Sequence, residues 1–336
     1  MCVRVTDLRG VDLARTPFDF DLTFALVLMN ADGHVYHRYG GRDERGAGVW
    51  LSEASLERLL TATLAEHEAY RAAPAPPERR APLRIEDVPS FKKRDKGECI
   101  HCHSVFPALY EEARAAGRWS EDDRWVHPPP GRIGLDLDRD DQRRVVAVTQ
   151  GSPAERAGLA AGDVLLRAGK QELLTSSDLS QVLHDLGPGP ATLVLHVERG
   201  GEPRELPLEL APGWKRGTPL EFSWRPFKWG FTPDPGFGGR ALGADDKREL
   251  GLAPEAFAFR VTYLATWGDT PRFGKEAVRA GLREGDVFLA AAGQRDFASV
   301  DHFHAWWRLT RTPGERVALG ILRDGERRTL ELEVLR

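Results

Sequence analysis

Long apolar runs are missing from this chain of 336 residues. No stretch of about eighteen consecutive apolar side chains occurs, which excludes a membrane-spanning helix. Sulfur is scarce: three cysteines are too few for a disulfide framework, and the two methionines, Met1 and Met29, leave little choice of soft metal ligand. Neither sign of charge dominates. Lys plus Arg number 47 against 51 acids, a net charge of -4, and the arginines are interleaved with acids as on ordinary solvated faces. That balance excludes nucleic acid or an acidic membrane as the expected partner. Also missing are Gly-x-Ser-x-Gly, His-Glu-x-x-His, a Walker phosphate loop and any kinase or NAD motif, so nothing marks an enzyme. The length predicts two to four domains.

What is present begins with Cys99-Ile100-His101-Cys102-His103, the one place where reactive side chains are crowded. The spacing matches Cys-x-x-Cys-His, the pattern that fixes haem c by two thioethers with the following imidazole as iron ligand. Two intervening residues let one tight turn present both sulfurs to one edge of a porphyrin, with His103 next under the iron. A Cys-x-x-Cys also serves as a redox dithiol or disulfide, or as half of a zinc site completed by His101 or His103 with His127. Zinc is the weaker option because the second half lacks paired spacing. For a haem, His127 is the nearest second axial ligand, since Met29 reads as part of a buried strand.

The first fifty residues read as β-rich. Cys2-Val3-Arg4-Val5 reads as a strand with Cys2 as a small buried residue. Phe24 to Met29 and His34 to Tyr39 flank Asp32-Gly33, a strong hairpin signal. Ser52 and Glu53 open a helix whose Leu56, Leu59, Leu60 and Leu64 are spaced to bury one face. The order of strand, long connection, hairpin, Gly40-Gly41 and helix resembles the C-terminal half of a thioredoxin-like domain. Thr23 replaces the cis-proline expected there, and the first strand-helix unit with its redox cysteines is absent, so thioredoxin chemistry does not carry over. A sheet lacking that unit is expected to leave apolar surface uncovered, and an export segment is expected upstream.

Ala72 to Arg80 has the proline content of a stiff linker, followed by the basic run Lys92 to Lys96, suited to holding haem propionates or lowering a thiol pKa. A helix from Val105 stops at Gly117. Then Ile133-Gly134-Leu135, Val145 to Val148, Gly151 to Leu159 and Gly162 to Leu166, with a helix from Ser177 to Leu186 and strands at Ala191 to Glu198 and Glu205 to Leu210, are very similar to a bacterial PDZ domain. That resemblance implies that backbone N–H groups at Ile133, Gly134 and Leu135 capture a terminal carboxylate, Gly134 opening the backbone toward the anion, and that the peptide adds as a strand beside the helix.

The pattern returns. Ala157-Gly158-Leu159 and Gly162-Asp163-Val164-Leu165 recur as Ala280-Gly281-Leu282 and Gly285-Asp286-Val287-Phe288. Leu250-Gly251-Leu252 stands where the second carboxylate loop is expected, and an insertion around Trp267 is expected to reshape that groove. His302 and His304, two apart on the groove helix, are a poor metal pair. Trp214 to Gly239, with aromatics set among prolines, reads as a connector packed on its neighbour.

The expected architecture is an α+β multidomain chain: a partial thioredoxin-like α/β domain at 1-72, a linker with the cysteine segment at 73-130, PDZ domains at 131-212 and 240-336, and the connector at 213-239. The expected function is a bacterial extracytoplasmic, periplasmic scaffold that docks peptide or protein C-termini and carries haem c at Cys99, Cys102 and His103 for electron transfer or sensing. The alternative is an interaction adaptor with a thiol redox pair.

Overall fold

The computed structural model describes residues 1–70, 81–92 and 97–336, and the predicted linker and most of the basic run lie outside them. The chain divides into two compact units, Met1–Gly217 and Thr218–Arg336.

The first unit opens without the expected strand at Cys2 to Val5; Cys2 is exposed, as are Val3 and Val5. The predicted hairpin forms from β1 (Ala25–Met29) and β2 (Val35–Gly40), antiparallel from Ala25↔Gly40 to Met29↔Val35. Gly33 takes the positive φ of 85° that the turn requires. Helix α1 (Glu53–Ala69) is capped by Ser52, whose side chain accepts from the Ser55 N–H. Its buried face is Ser55, Leu59 and Thr63, rotated from the expected leucine stripe, because the Tyr39 hydroxyl reaches Ser52 C=O and Ser55 Oγ at 2.8 and 2.9 Å. Leu60 and Leu64 are therefore exposed, and Met29, read as buried, is 41% exposed at the end of β1.

No wider thioredoxin-like sheet surrounds the hairpin among the described residues, and β1 and β2 form a two-stranded sheet. The edge of β2 that a further strand would pair is taken by side chains of residues 171–178. Asp178 accepts from Arg38 N–H (2.8 Å), Thr175 and Ser177 donate to the carbonyls of Arg38 and Gly40 (2.5 and 2.8 Å), and Gln171 donates to Tyr36 C=O (3.0 Å). These bonds satisfy the backbone groups that an open edge would expose.

After α2 (Pro89–Lys92) and the cysteine segment, α3 (Val105–Ala115) ends before Gly117, whose φ is 65°. Next come β3 (Leu135–Leu137), β4 (Val145–Val148), α4 (Pro153–Arg156), β5 (Val164–Ala168), β6 (Gln171–Glu172), α5 (Ser176–Asp185), β7 (Ala191–Arg199) and β8 (Glu202–Leu210). The strands form a β3-β4 pair and a sheet of order β6-β5-β7-β8. Leu135, Leu137, Leu165, Leu179, Leu183, Leu195 and Leu208 share one buried apolar cluster.

The second unit begins with α6 (Pro219–Ser223) and a 3₁₀ turn (Pro226–Gly230), so this part of the aromatic connector belongs to that unit. Then follow β9 (Phe237–Ala241), α7 (Ala244–Glu249), β10 (Phe259–Leu264), α8 (Arg272–Arg279), β11 (Val287–Ala291), α9 (Val300–Thr310), β12 (Arg316–Arg323) and β13 (Glu326–Glu333). The sheet order is β13-β12-β11-β10-β9. Phe237, Phe259, Phe288, Phe303 and Trp307 are at most 1% exposed and form its centre, each contributing on the order of 2 kcal/mol by burial. Phe222, Phe227 and Phe231 are buried, and α6 packs against α9.

Candidate functional site

The site is built on β3 and α5. Thr149 N–H donates to Gly134 C=O (2.8 Å), Asp138 N–H donates to Arg144 C=O (2.9 Å), and Asp136 is paired with Ala147. Backbone groups alternate sides along a strand, so the N–H and C=O of Leu135 and Leu137 face the other edge. No strand pairs that edge among the described residues. Helix α5 lies over the same apolar cluster, with Leu179 and Leu183 fully buried and Val182 and Leu186 half-buried beside them.

The loop before β3 differs from expectation in its detail. Gly134 N–H donates to Gly131 C=O at 3.0 Å, so of the three expected amides Leu135 is the one that the ladder directs to the open edge. Ile133 is wholly buried. Gly134 is required for a steric reason: its φ is 89°, and a Cβ there would stand 2.1 Å from Ser152 Cβ at the cap of α4. The glycine lets β3 approach the cap of α4.

Two clusters that the sequence did not reveal hold α5 in place. The His37 ring is fully buried, with Nδ1 2.9 Å from Asp178 and Nε2 2.9 Å from Glu66. Burial alone would lower the imidazole pKa, but the bonds and charge of Asp178 and then Glu66 outweigh it and hold His37 above its ordinary value. At the other end of α5, His184 stacks on His127 with ring centroids 4.1 Å apart, and Lys215 Nζ donates to His184 C=O at 2.6 Å. Burial pushes the Lys215 ammonium down to about 8, partly offset by Asp185 and Asp123.

The second unit carries a polar contact that matches one in the first. Arg199 donates to Asp163 Oδ1 (2.6 Å), Asp163 Oδ2 (2.8 Å) and Gly158 C=O (2.7 Å). Arg323 makes the same three bonds to Asp286 Oδ1, Asp286 Oδ2 and Gly281 C=O, at 2.6, 2.7 and 2.7 Å. From β9 to β13 the elements follow the order of β3 to β8 except that β6 has no counterpart strand and α7 is inserted between β9 and β10, and the five strands form one sheet where the first six form two.

Leu250, Gly251 and Leu252 follow α7, after β9, and Leu252 is buried beside Leu242, Ala258, Val287 and Leu322. The counterpart of Gly134 is Gly236: Ala265 N–H donates to Gly236 C=O (2.8 Å) as Thr149 does to Gly134, and a Cβ on Gly236 would stand 2.2 Å from the Phe273 backbone. Pro235-Gly236-Phe237 directly before a strand was the available signal. Here the loop is closed by its own carboxylate, Asp234, which accepts from Gly236 N–H (2.7 Å) and pairs with the buried Arg308. His304 accepts from Arg308 at Nδ1 (3.1 Å); burial, then Arg308 and Lys228, keep it neutral well below the usual imidazole range. His302 is half-buried and accepts from Ala298 N–H at 3.1 Å.

The cysteine segment is a surface turn. Ile100 is 2% exposed and anchors it, accepting from Leu8 N–H (3.0 Å) and donating to Asp7 (2.9 Å), while Cys99, His101 and His103 are exposed and Cys102 is half-buried. Both sulfurs are free thiols. Burial raises the Cys102 pKa; backbone N–H groups of His103 and Cys102 oppose this, and Asp21 and Asp19 add to it. For covalent haem attachment, Cys99 and His103 are open to solvent, whereas Cys102 is half-buried. His127 does not sit ready as a second axial ligand, since it is 6% exposed and stacked on His184. Among the described residues no group of three or more His, Cys, Asp or Glu side chains is placed to hold a metal ion.

Residues 131–210 match the PDZ domain family, which establishes one PDZ domain in the chain. No curated protein matches it. Solved structures similar to the chain include a variant of the HtrA-type protease AlgW with tripeptide, 26% identical over 30% of this chain and 30% of that one, with a TM-score of 0.24. Another is HtrA-type protease AlgW with decapeptide, 17% identical over 52% of this chain and 54% of that one, with a TM-score of 0.26. The chain thus covers between 30% and 54% of the length of these structures.

Proposed function

We propose that the chain is a peptide-docking adaptor. The PDZ domain takes the free C-terminus of a peptide or partner protein as an added strand on the Leu135–Leu137 edge, and the second unit is a second PDZ-like module on the same plan. The unpaired edge of β3 beside the half-buried Val182 and Leu186 carries this reading, because a ladder left open next to apolar side chains is what strand addition needs. The twin networks of Arg199 and Arg323 support the second module. Fluorescence polarisation with peptides ending in valine tests it: the free acid binds and the C-terminal amide binds at least about tenfold more weakly. Failure of every free-acid peptide in a C-terminal library to bind would sink the reading.

A second reading concerns Cys99, Cys102 and His103, and the exposure of Cys99 and His103 favours it. In this reading the two sulfurs carry haem c, His103 ligates the iron, and the chain works outside the cytoplasm in electron transfer or sensing. The haem would supply one-electron chemistry; the chain would supply thioether anchors and one imidazole. A thiol redox pair is less favoured, since burial, with the nearby Asp21 and Asp19 adding to it, raises the Cys102 pKa. Intact-mass spectrometry and an absorption spectrum, on protein exported by a host with haem-attachment machinery, decide between them. A one-haem gain lost in the Cys99→Ala, Cys102→Ala double variant supports haem, and an unmodified mass without a Soret band refutes it.

A further inference from the structure

We infer that the PDZ groove is built for a short ligand, about three C-terminal residues, because the chain's own Trp50–Ser52 segment closes the end away from the carboxylate loop. This rests on the reading that the β3 edge docks C-termini. Strand β3 has three residues, Leu135–Leu137, which at about 3.3 Å per residue gives an edge of roughly 10 Å. Beyond Leu137 the chain turns back, since the N–H groups of Asp140 and Asp141 both donate to Asp138 Oδ1 at 2.8 Å.

At that turn the two walls of the groove are bridged by a buried side chain. Gln142 is 2% exposed; its Oε1 accepts from Ser176 N–H and Oγ at the start of α5, both at 3.0 Å, and its Nε2 donates to Trp50 C=O at 2.8 Å. Trp50 is 8% exposed and shares the apolar cluster of Leu135, Leu137 and Leu179. The segment is held on both sides: Arg139 donates to Leu51 C=O, Ser52 Oγ donates to Asp140, and the Tyr39 hydroxyl bonds Ser52 N–H and C=O, each at 2.8 Å. Gly41 lies against the indole, a Cβ there falling 2.8 Å from Trp50 Cδ1.

An extended ligand entering at Leu135 therefore meets Gln142 and Trp50 after the third residue. The ligand class is a free carboxylate with an apolar last side chain set against Val182 and Leu186, and upstream residues leave the surface without adding contacts. The test uses the full chain and three peptides of three, six and ten residues with the same last three, ending in valine, each as free acid and amide. The expected result is that all three acids bind within about threefold of one another. An affinity that rises tenfold or more with length overturns the inference while leaving C-terminal docking intact. Absence of binding by all three acids overturns the docking reading and the inference together. Trp50→Ala, checked for folding by circular dichroism, is expected to restore length dependence; Arg139→Ala, which removes only an exposed tether of Leu51, is the milder variant if Trp50→Ala does not fold.

Discussion

Replacing His37 with alanine tests how the N-terminal hairpin is fixed to the PDZ domain. The ring is wholly buried between Asp178, itself 0% exposed, and Glu66, which is 36% exposed. Removing one partner of a buried ion pair costs about 3–5 kcal/mol. The low end applies here, because Asp178 keeps three backbone donors, Arg38 at 2.8 Å and Leu174 and Thr175 at 3.2 Å. Such a loss of about 3 kcal/mol lowers the melting temperature of a unit of this size by roughly 6–12 °C. The sign of the pH dependence follows from the raised pKa of folded His37. Its stabilisation is complete below the unfolded value of about 6.5 and fades as pH rises through the higher folded value. Urea unfolding of the parent and His37→Ala chains at about pH 6 and about pH 9 measures both effects. A variant that loses less than about 1 kcal/mol, or that weakens with rising pH just as the parent does, would refute the reasoning.

Three further outcomes follow from the repeated plan and the cysteine turn. Gly134→Ala and Gly236→Ala share a positive φ costing about 1–2 kcal/mol, but the second meets the Phe273 backbone where the first meets a serine side chain. Gly236→Ala is therefore the more damaging in thermal denaturation, by at least about 1 kcal/mol. Arg199→Ala and Arg323→Ala each leave a buried aspartate with only one backbone donor, from Ala160 and Arg283, and calorimetry is expected to show a lower melting temperature in each variant. Timed alkylation with mass spectrometry is expected to label Cys2 and Cys99 before Cys102, at neutral pH, since Cys102 is half-buried with a raised pKa.

Much of this was legible where the determinants are local. Asp32-Gly33 marks the first hairpin, Ser52 caps its helix, and Gly151-Ser152-Pro153 with Gly162-Asp163 marks the PDZ domain, because each is a turn or cap set by neighbouring residues. What failed depended on distant partners. Leu60 and Leu64 have helical spacing, yet the Tyr39 hydroxyl at Ser52 and Ser55 turns the buried face of α1 away from them. The outer edge of the hairpin is bonded by Ser177 and Asp178 of α5, far along the chain. Leu250 to Leu252, to which the first repeat's spacing points, follow α7, while the contacts made by Gly134 in the first unit are matched in the second at Gly236. The His37, Gln142 and Asp234 clusters join residues widely separated in sequence, and no local pattern announces them.

Docking of a C-terminus on the free edge of β3 leaves a signature in the backbone amides. Amide hydrogen exchange read residue by residue by NMR, with and without a valine-ending free-acid peptide, tests it most directly. The Leu135 and Leu137 N–H groups are expected to gain protection while Asp136 and Asp138, already bonded toward β4, do not change. Protection that appears elsewhere and spares Leu135 and Leu137 would contradict it.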